Sequence, residues 1–333
     1  MFINLVSYVA WYASRHELGS GQRNGQSAVK YLLVFNRRAK RYSEKTETDI
    51  VAQASAILHR RAVTVAYTIP HDNGPATGYE IENFAHHSEN VDCVIAVGGD
   101  GTVNVVVSAL MRYGLATRVP LGVIPYGTGN NLIRSYGLER DSGAALRTIR
   151  QHHTVRLDIG TINQQYYFVN TSFGLFAYLV RRRVTKSLVG WVYDALRHIR
   201  FRPWATRIRY TDDSGRVIEL PRQPYIVGAL LNTSHYGSIL HMAPDVVGDD
   251  GLFDVKLIRS VPVAAYPLVF TIILTGHYHL SDRTMTFRAR QVEVIPESAC
   301  NFETDGDLIP PQQTYQISMA GHIRLIVPAP LTV

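Results

Sequence analysis

Cysteine is scarce in this 333-residue chain: Cys93 and Cys300 are the only two, and neither has a His or Cys partner at metal-ligand spacing. That argues against a disulfide scaffold or a structural zinc site, and it fits a reducing cytoplasm. Long apolar runs are lacking as well. A bilayer-spanning helix needs ~20 consecutive apolar residues, whereas the best stretch, 261–276, is short and broken by Pro262 and Pro267. Residues 1–14 are apolar but have neither the basic leader nor the cleavage site of a signal peptide. Phe2, Leu5, Val6, Val9 and Ala13 fall on one helical face there, the pattern of a weak interfacial anchor. Residues 19–28 (GSGQRNGQSA) read as a linker, so 1–29 is taken as an extension. Also absent are a Walker A sequence, a Gly-x-Gly-x-x-Gly fingerprint and a serine-hydrolase elbow.

What is present is the composition of a packed protein, 46% hydrophobic and 18% charged, long enough for two domains with separate cores. The formal net charge of +7 calls for an anionic partner. Much of it lies in one stretch: Arg181, Arg182, Arg183, Lys186, Arg197, Arg200, Arg202, Arg207 and Arg209, with Asp194 the only acid. Trp191, Tyr193, Phe201 and Trp204 are interleaved with these cations, a combination suited to peripheral contact with an anionic membrane. No nucleic-acid motif accompanies the charge, and nucleic acid is not expected as a partner.

Along residues 31–151, short apolar runs alternate with helix-like stretches. Strands are expected at 31–35, 63–69, 91–97 and 121–124, and helices at 43–60, 79–87, 103–113 and 141–150. Such alternation implies a parallel sheet covered on both faces. After residue 158 the character changes to short β-type runs at 166–172, 206–210, 225–231, 252–258, 291–295, 315–318 and 323–327. Only the Arg-rich stretch and 264–274 look helical there. The expected architecture is an α/β nucleotide-binding domain over 30–157 followed by a β-sandwich domain over 158–333, with the last strands returning to the first domain.

Two glycine loops carry the chemistry. Gly98, Gly99, Asp100, Gly101 and Thr102 separate a strand from a helix, where backbone N–H groups and the helix N-terminus receive an anion. A carboxylate in such a loop repels polyphosphate unless a cation intervenes, or unless it holds the loop or a ribose hydroxyl. Pro125-Tyr126-Gly127-Thr128-Gly129-Asn130-Asn131 repeats the strand–glycine–helix pattern one strand later. Two such loops at the carboxyl ends of neighbouring strands can enclose one ligand.

With Asn104, these loops resemble the diacylglycerol kinase catalytic-domain family, which includes sphingosine kinases and bacterial lipid kinases. The resemblance continues through Leu157-Asp158-Ile159-Gly160, Phe168-Val169-Asn170 with Gly174, Asn232, Gly237 and Ala243-Pro244-Asp245. It ends with Asp250-Gly251-Leu252-Phe253-Asp254-Val255 and Asp305-Gly306-Asp307, and so spans nearly all of 31–328. It implies an ATP- and Mg²⁺-dependent kinase of a lipid hydroxyl, with the site between the two domains. By resemblance, Asn36, Gly98, Gly99, Asp100, Gly101, Thr102, Gly127 and Thr128 face the nucleotide. Asp305 is the implied general base, Asp158 holds the catalytic Mg²⁺ through water, and Asp245 and Asp250 belong to a second magnesium loop.

The chain departs from the family pattern at three points. Arg37-Arg38 follow Asn36 where a Pro and a glycine turn are usual, Asn131 replaces an Asp, and Asp307 replaces a Glu. Arg37 or Arg38 is a substitute phosphate contact in this reading. Two other readings stay open: an NAD kinase-like enzyme, and a non-catalytic lipid-sensing protein with the same fold.

Overall fold

In β1 (Lys30–Phe35), Leu32 and Val34 point to one side of the sheet, and Tyr31, Leu33 and Phe35 to the other. All five are buried, because helices cover both faces, so the strand reads as an unbroken apolar run. The fold comes from a computed structural model, which describes residues 29–39, 42–58, 62–70, 79–127, 131–181, 201–237, 240–278 and 281–329. Thr128 and the Arg-rich segment 182–200 lie outside these residues.

The first half contains β1, α1 (Glu44–Ile57), β2 (Ala62–Pro70), β3 (Tyr79–Ile81), α2 (Phe84–Ser88), β4 (Cys93–Gly98), α3 (Asp100–Arg112), β5 (Leu121–Pro125), α4 (Asn131–Tyr136) and α5 (Ser142–Gln151). Strands β2, β1, β4 and β5 lie side by side and parallel. Helices α1 and α5 cover one face with Ile50, Ala54, Leu146 and Ile149, and α3 covers the other with Val103, Val106 and Leu110. Both helices of the first pair start on a side-chain cap: Ser43 accepts from the Thr46 N–H, and Asp141 from the Ala144 N–H. The segment 79–87, expected as one helix, instead splits. Tyr79–Ile81 pairs antiparallel with the end of β2, and Asn83 in the left-handed region (φ 53°) turns the chain into the short α2.

The second half adds β6 (Thr154–Ile162), β7 (Tyr166–Phe168), β8 (Asn170–Gly174), α6 (Leu175–Arg181), β9 (Ala205–Thr211), β10 (Val217–Leu231), β11 (His235–Tyr236) and β12 (Leu240–His241). Then come β13 (Phe253–Arg259), α7 (Tyr266–Thr275), β14 (Thr284–Ala289), β15 (Gln291–Pro296), β16 (Cys300–Thr304), β17 (Asp307–Gln312) and β18 (Tyr315–Ile326). This is a β-sandwich-like domain. Strand β10 serves both layers: it pairs with β9 as far as Pro224, with β13 from Tyr225 onward and with β8 from Val227 onward. The register shifts between Leu220 and Gln223, where Pro221 cannot donate to the ladder. Phe168, Phe173, Phe253, Phe302 and Tyr315 fill the space between the layers.

The two halves are joined by strands rather than by a linker. The expected boundary at 157/158 falls inside β6, which pairs along its length with β18. The runs 315–318 and 323–327, expected as separate strands, are one strand bent at Gly321 (φ 141°). Its end pairs parallel with β5 through Leu325 and Leu121. The turn between β16 and β17 is thereby held against the helix end that follows β4. Among the described residues, no helix is long and apolar enough to cross a membrane.

Candidate active site

The first glycine loop folds tightly because Gly98 leaves no room for anything larger: a Cβ there would overlap the Thr102 side chain, which is buried against it. Gly99 is the extended residue before α3, and α3 begins at Asp100. The Asp100 carboxylate accepts the Asn131 backbone N–H at 2.7 Å. Thus the acid in the loop ties the first glycine loop to the start of α4, just after the second. Asn131 contributes its backbone at this contact, and its side chain is buried.

Asp305 reaches the same region from the sandwich. Thr304 and Asp307 are paired across β16 and β17, leaving Asp305 (φ 49°) and Gly306 (φ 95°) as a two-residue hairpin turn. Positive φ at both central residues is the type I′ geometry that Asp-Gly favours. The turn aims the Asp305 carboxylate at three donors. Its Oδ2 accepts from Asn104 Nδ2 (2.8 Å) and from the Val169 N–H (2.9 Å), and its Oδ1 accepts from the Asn170 N–H (2.9 Å). Val169 lies in the break between β7 and β8, and Asn104 projects from α3. Asn104 Nδ2 is also 2.9 Å from the Tyr167 carbonyl, so one amide bridges the two halves.

Burial raises the Asp305 carboxyl to about 7 against the opposing pull of its donors, and the nearby Asp100 carboxylate adds to the rise. The residue as a whole is partly exposed. On the far side of the turn, the Asp307 carboxylate lies 3.4 Å from where a Cβ on Gly101 would sit, so it faces the first glycine loop.

Asp158, in β6, stands at the centre of a second network. Its Oδ2 accepts the Gly251 N–H (2.6 Å), and its backbone N–H donates to the Gly248 carbonyl (2.7 Å). Asn232 Nδ2 donates to its carbonyl (3.1 Å). Asn170 in turn accepts the Asn232 and Thr233 N–H groups at 3.0 and 3.2 Å, which links this network to the backbone that holds Asp305. Asp250 accepts the Leu252 N–H at 2.9 Å and pairs with Arg288, while Asp245 is exposed beside Asp254. Among the described residues, no group of three or more His, Cys, Asp or Glu is arranged around a common point for a metal. Asp158, Asp245 and Asp250 are thus not gathered into a cage.

Asn36 turns inward on its own loop, its Oδ1 accepting the Arg38 N–H at 2.9 Å. The Arg37 guanidinium stacks 3.5 Å above the Tyr67 ring, and Arg38 reaches the Tyr79 hydroxyl at 3.5 Å. Both cations are therefore engaged with tyrosines of neighbouring strands. Gly127 ends the described part of the second loop. Asn104, absent from the candidate site residues read from the sequence, is the side chain that joins α3 to Asp305. Its place beside the Gly-Gly-Asp-Gly-Thr loop was the available signal.

Comparisons with known proteins agree with this architecture. Residues 30–162 match the diacylglycerol kinase catalytic domain, and residues 178–328 match the YegS C-terminal NAD kinase β-sandwich-like domain. A diacylglycerol kinase of Bacillus subtilis (strain 168) is 29% identical over 247 residues, covering 71% of this chain and 78% of the relative. A diacylglycerol kinase of Staphylococcus aureus (strain JH9) is 27% identical over 261 residues, covering 77% and 79%. A crystal structure of a diacylglycerol kinase from Bacillus anthracis str. Sterne superposes with a TM-score of 0.64 at 21% identity, covering 93% of this chain and 100% of that one. At that identity the likeness speaks to the fold.

The Asp305 geometry makes a direct prediction. In the ¹³C-aspartate-labelled protein, the Asp305 carboxyl titrates near pH 7. Asn104→Ala removes a donor to the ionised form, so its midpoint moves to higher pH. A midpoint near the ordinary carboxylate range, or one unmoved by the substitution, contradicts the geometry. The two matched domains follow each other in order across the chain, which carries a diacylglycerol kinase catalytic domain followed by a YegS C-terminal NAD kinase β-sandwich-like domain.

Proposed function

We propose that the protein transfers the γ-phosphoryl group of ATP to a hydroxyl of a lipid, such as diacylglycerol or a related glycerolipid or sphingolipid. The observation that carries this reading is the Asp305 carboxylate, raised by burial and held opposite the Gly98–Thr102 loop by donors from both halves. A general base works best with a pKa near the working pH, which describes this group.

In the proposed reaction Asp305, ionised, accepts the proton of the lipid hydroxyl as its oxygen forms a bond to the γ-phosphorus. The bond from phosphorus to the β–γ bridging oxygen breaks, and ADP leaves with that electron pair. The proton on Asp305 then passes to solvent. The N–H groups at the start of α3, with Gly98, Gly99, Gly101 and Thr102, cradle the phosphates, and Gly127 and Thr128 of the second loop are assigned to the same ligand by the family resemblance. Asn36 shapes the loop at the nucleotide's edge. Asp100 keeps the two glycine loops in register through Asn131.

The oxygen donors fit a Mg²⁺ delivered with ATP, because that ion is usually held by one or two carboxylates, waters and the phosphates themselves. Asp158 is the carboxylate assigned to it, and Asp245 and Asp250 are assigned only to a possible second ion in their loop. When bound, Mg²⁺ neutralises phosphate charge. The chain's own contribution is to orient the phosphates, the hydroxyl and the base, which supplies most of the catalysis in phosphoryl transfer.

The test is Mg²⁺-dependent transfer of labelled γ-phosphate from ATP into a mixed lipid extract, with Asp305→Asn in parallel. The expected outcome is a labelled, extractable lipid whose formation falls by at least about 10²-fold in the variant. Labelled NADP in place of lipid would mark an NAD kinase-like enzyme. ATP binding without any transfer would mark a lipid-sensing protein.

Lipid reaches such a site at a membrane surface, and the basic aromatic stretch 181–209 is the proposed contact with anionic head groups. Within it, Trp204 is 37% exposed. Replacing Arg181, Arg182 and Arg183 by Gln is expected to weaken sedimentation with anionic vesicles by about 1 kcal/mol per charge. Unchanged binding removes this stretch from the interface.

A further inference from the structure

Glu303 lies two residues before Asp305 in β16 and is 1% exposed, less than any other buried carboxylate among the described residues. Burying a carboxylate is costly unless its charge is compensated. Here the compensation is three donors. The Ser172 hydroxyl donates to Oε1 at 2.8 Å, the Tyr236 hydroxyl donates to the same oxygen, and the Gly306 N–H donates to Oε2 at 2.8 Å. Tyr236 is itself fixed by stacking on Phe176, with centroids 5.1 Å apart.

The third donor matters most. Gly306 is the second residue of the turn that presents Asp305, and its N–H is bonded to the side chain lying beneath that turn. We infer that Glu303 is a positioning residue for phosphoryl transfer, holding the Asp305–Gly306 turn through the Gly306 N–H. The inference rests on the kinase reading above, in which Asp305 is the base.

One consequence follows from the geometry. With the Gly306 N–H held, the turn keeps both positive φ values, and the Asp305 carboxylate stays on the Val169 and Asn170 N–H groups. Burial raises the Glu303 carboxyl to about 7 against the pull of its three donors, and the Asp305 carboxylate adds to the rise. The titratable groups facing Glu303 are Tyr236 of β11 and Asp305 of the turn, while β8 offers the Ser172 hydroxyl. Asp305 in turn faces Asp100 of α3.

The test compares wild type, Glu303→Gln and Tyr236→Phe as full chains in the labelled-phosphate assay. It adds ¹³C titration of Asp305, which needs no turnover. For Glu303→Gln, kcat is expected to fall about 10- to 100-fold, the range seen when a group orienting a reacting residue is lost. The KM for ATP should stay within about twofold, since uniform binding is untouched. Both the acid limb of kcat and the Asp305 titration should move to higher pH, as for Asn104→Ala, because a loosened turn weakens the Val169 and Asn170 N–H bonds to the Asp305 anion. Tyr236→Phe keeps the ring stack and removes one donor from the Glu303 anion. Glu303 is then held less firmly against the Gly306 N–H, so the limb moves the same way by a smaller step.

If Glu303→Gln does not fold, Tyr236→Phe decides by the same criterion. The inference is overturned by a kcat within twofold of wild type, or by a loss of kcat with the Asp305 titration unmoved. Wild type active, Asp305→Asn inactive and Glu303→Gln normal would sink this inference alone. Transfer retained by Asp305→Asn would sink the underlying reading instead.

Discussion

One partly buried carboxylate ties the two halves of this protein together. Asp305 comes from a hairpin of the sandwich, and its oxygens are held by an amide from α3 and by two backbone N–H groups at the break between β7 and β8. Both the placement of the turn and the path of β7 and β8 depend on satisfying that group, because an unsatisfied buried carboxylate costs several kcal/mol. The arrangement is also balanced. Burial pushes Asp305 up toward neutrality while the three donors pull it down, and the outcome is a group poised near pH 7.

The surrounding hydrogen bonds extend this grip. Asn170, whose N–H holds Asp305, uses its side chain to fix the end of β10 at Asn232 and Thr233. Asn232 then fixes Asp158, and Asp158 fixes the 248–251 loop through Gly248 and Gly251. Gly248 has no space for a side chain, since a Cβ would lie 2.6 Å from the Tyr136 hydroxyl of α4. On the other side, Asp100 binds the start of α4 to the first glycine loop. Helix α4 therefore meets both networks, at Asn131 and at Tyr136. Positioning of this kind is what phosphoryl transfer asks of a protein.

Much of this was legible in the sequence. The runs at 31–35 and 91–97 announced strands buried on both faces, and the glycine loops after two strands announced the phosphate end of a parallel sheet. Other features were hidden for physical reasons. Asp305-Gly306 reads as an ordinary hairpin turn because it is one, and only the partners supplied by residues far away in sequence make it a site. Segment 79–87 has too little periodicity to separate three residues of edge strand from one turn of helix. Strand β6 was missed because Asp158 and Gly160 interrupt its apolar pattern; Gly160 is required where the Phe168 ring packs on the backbone. The ion pair of Asp250 was hidden because Arg288 lies 38 positions later and is brought to it only by the pairing of β13 with β14. Glu303 gave no signal, since a lone acid in a strand reads as solvent-facing.

The most direct test of the account is the pH dependence of kcat for γ-phosphoryl transfer to the acceptor lipid at saturating ATP. If Asp305 takes the hydroxyl proton, kcat rises with a slope of one through an apparent pKa of about 7 and reaches a plateau above it. A rate already at its plateau by about pH 5, where a carboxylate of ordinary pKa is ionised, would contradict it.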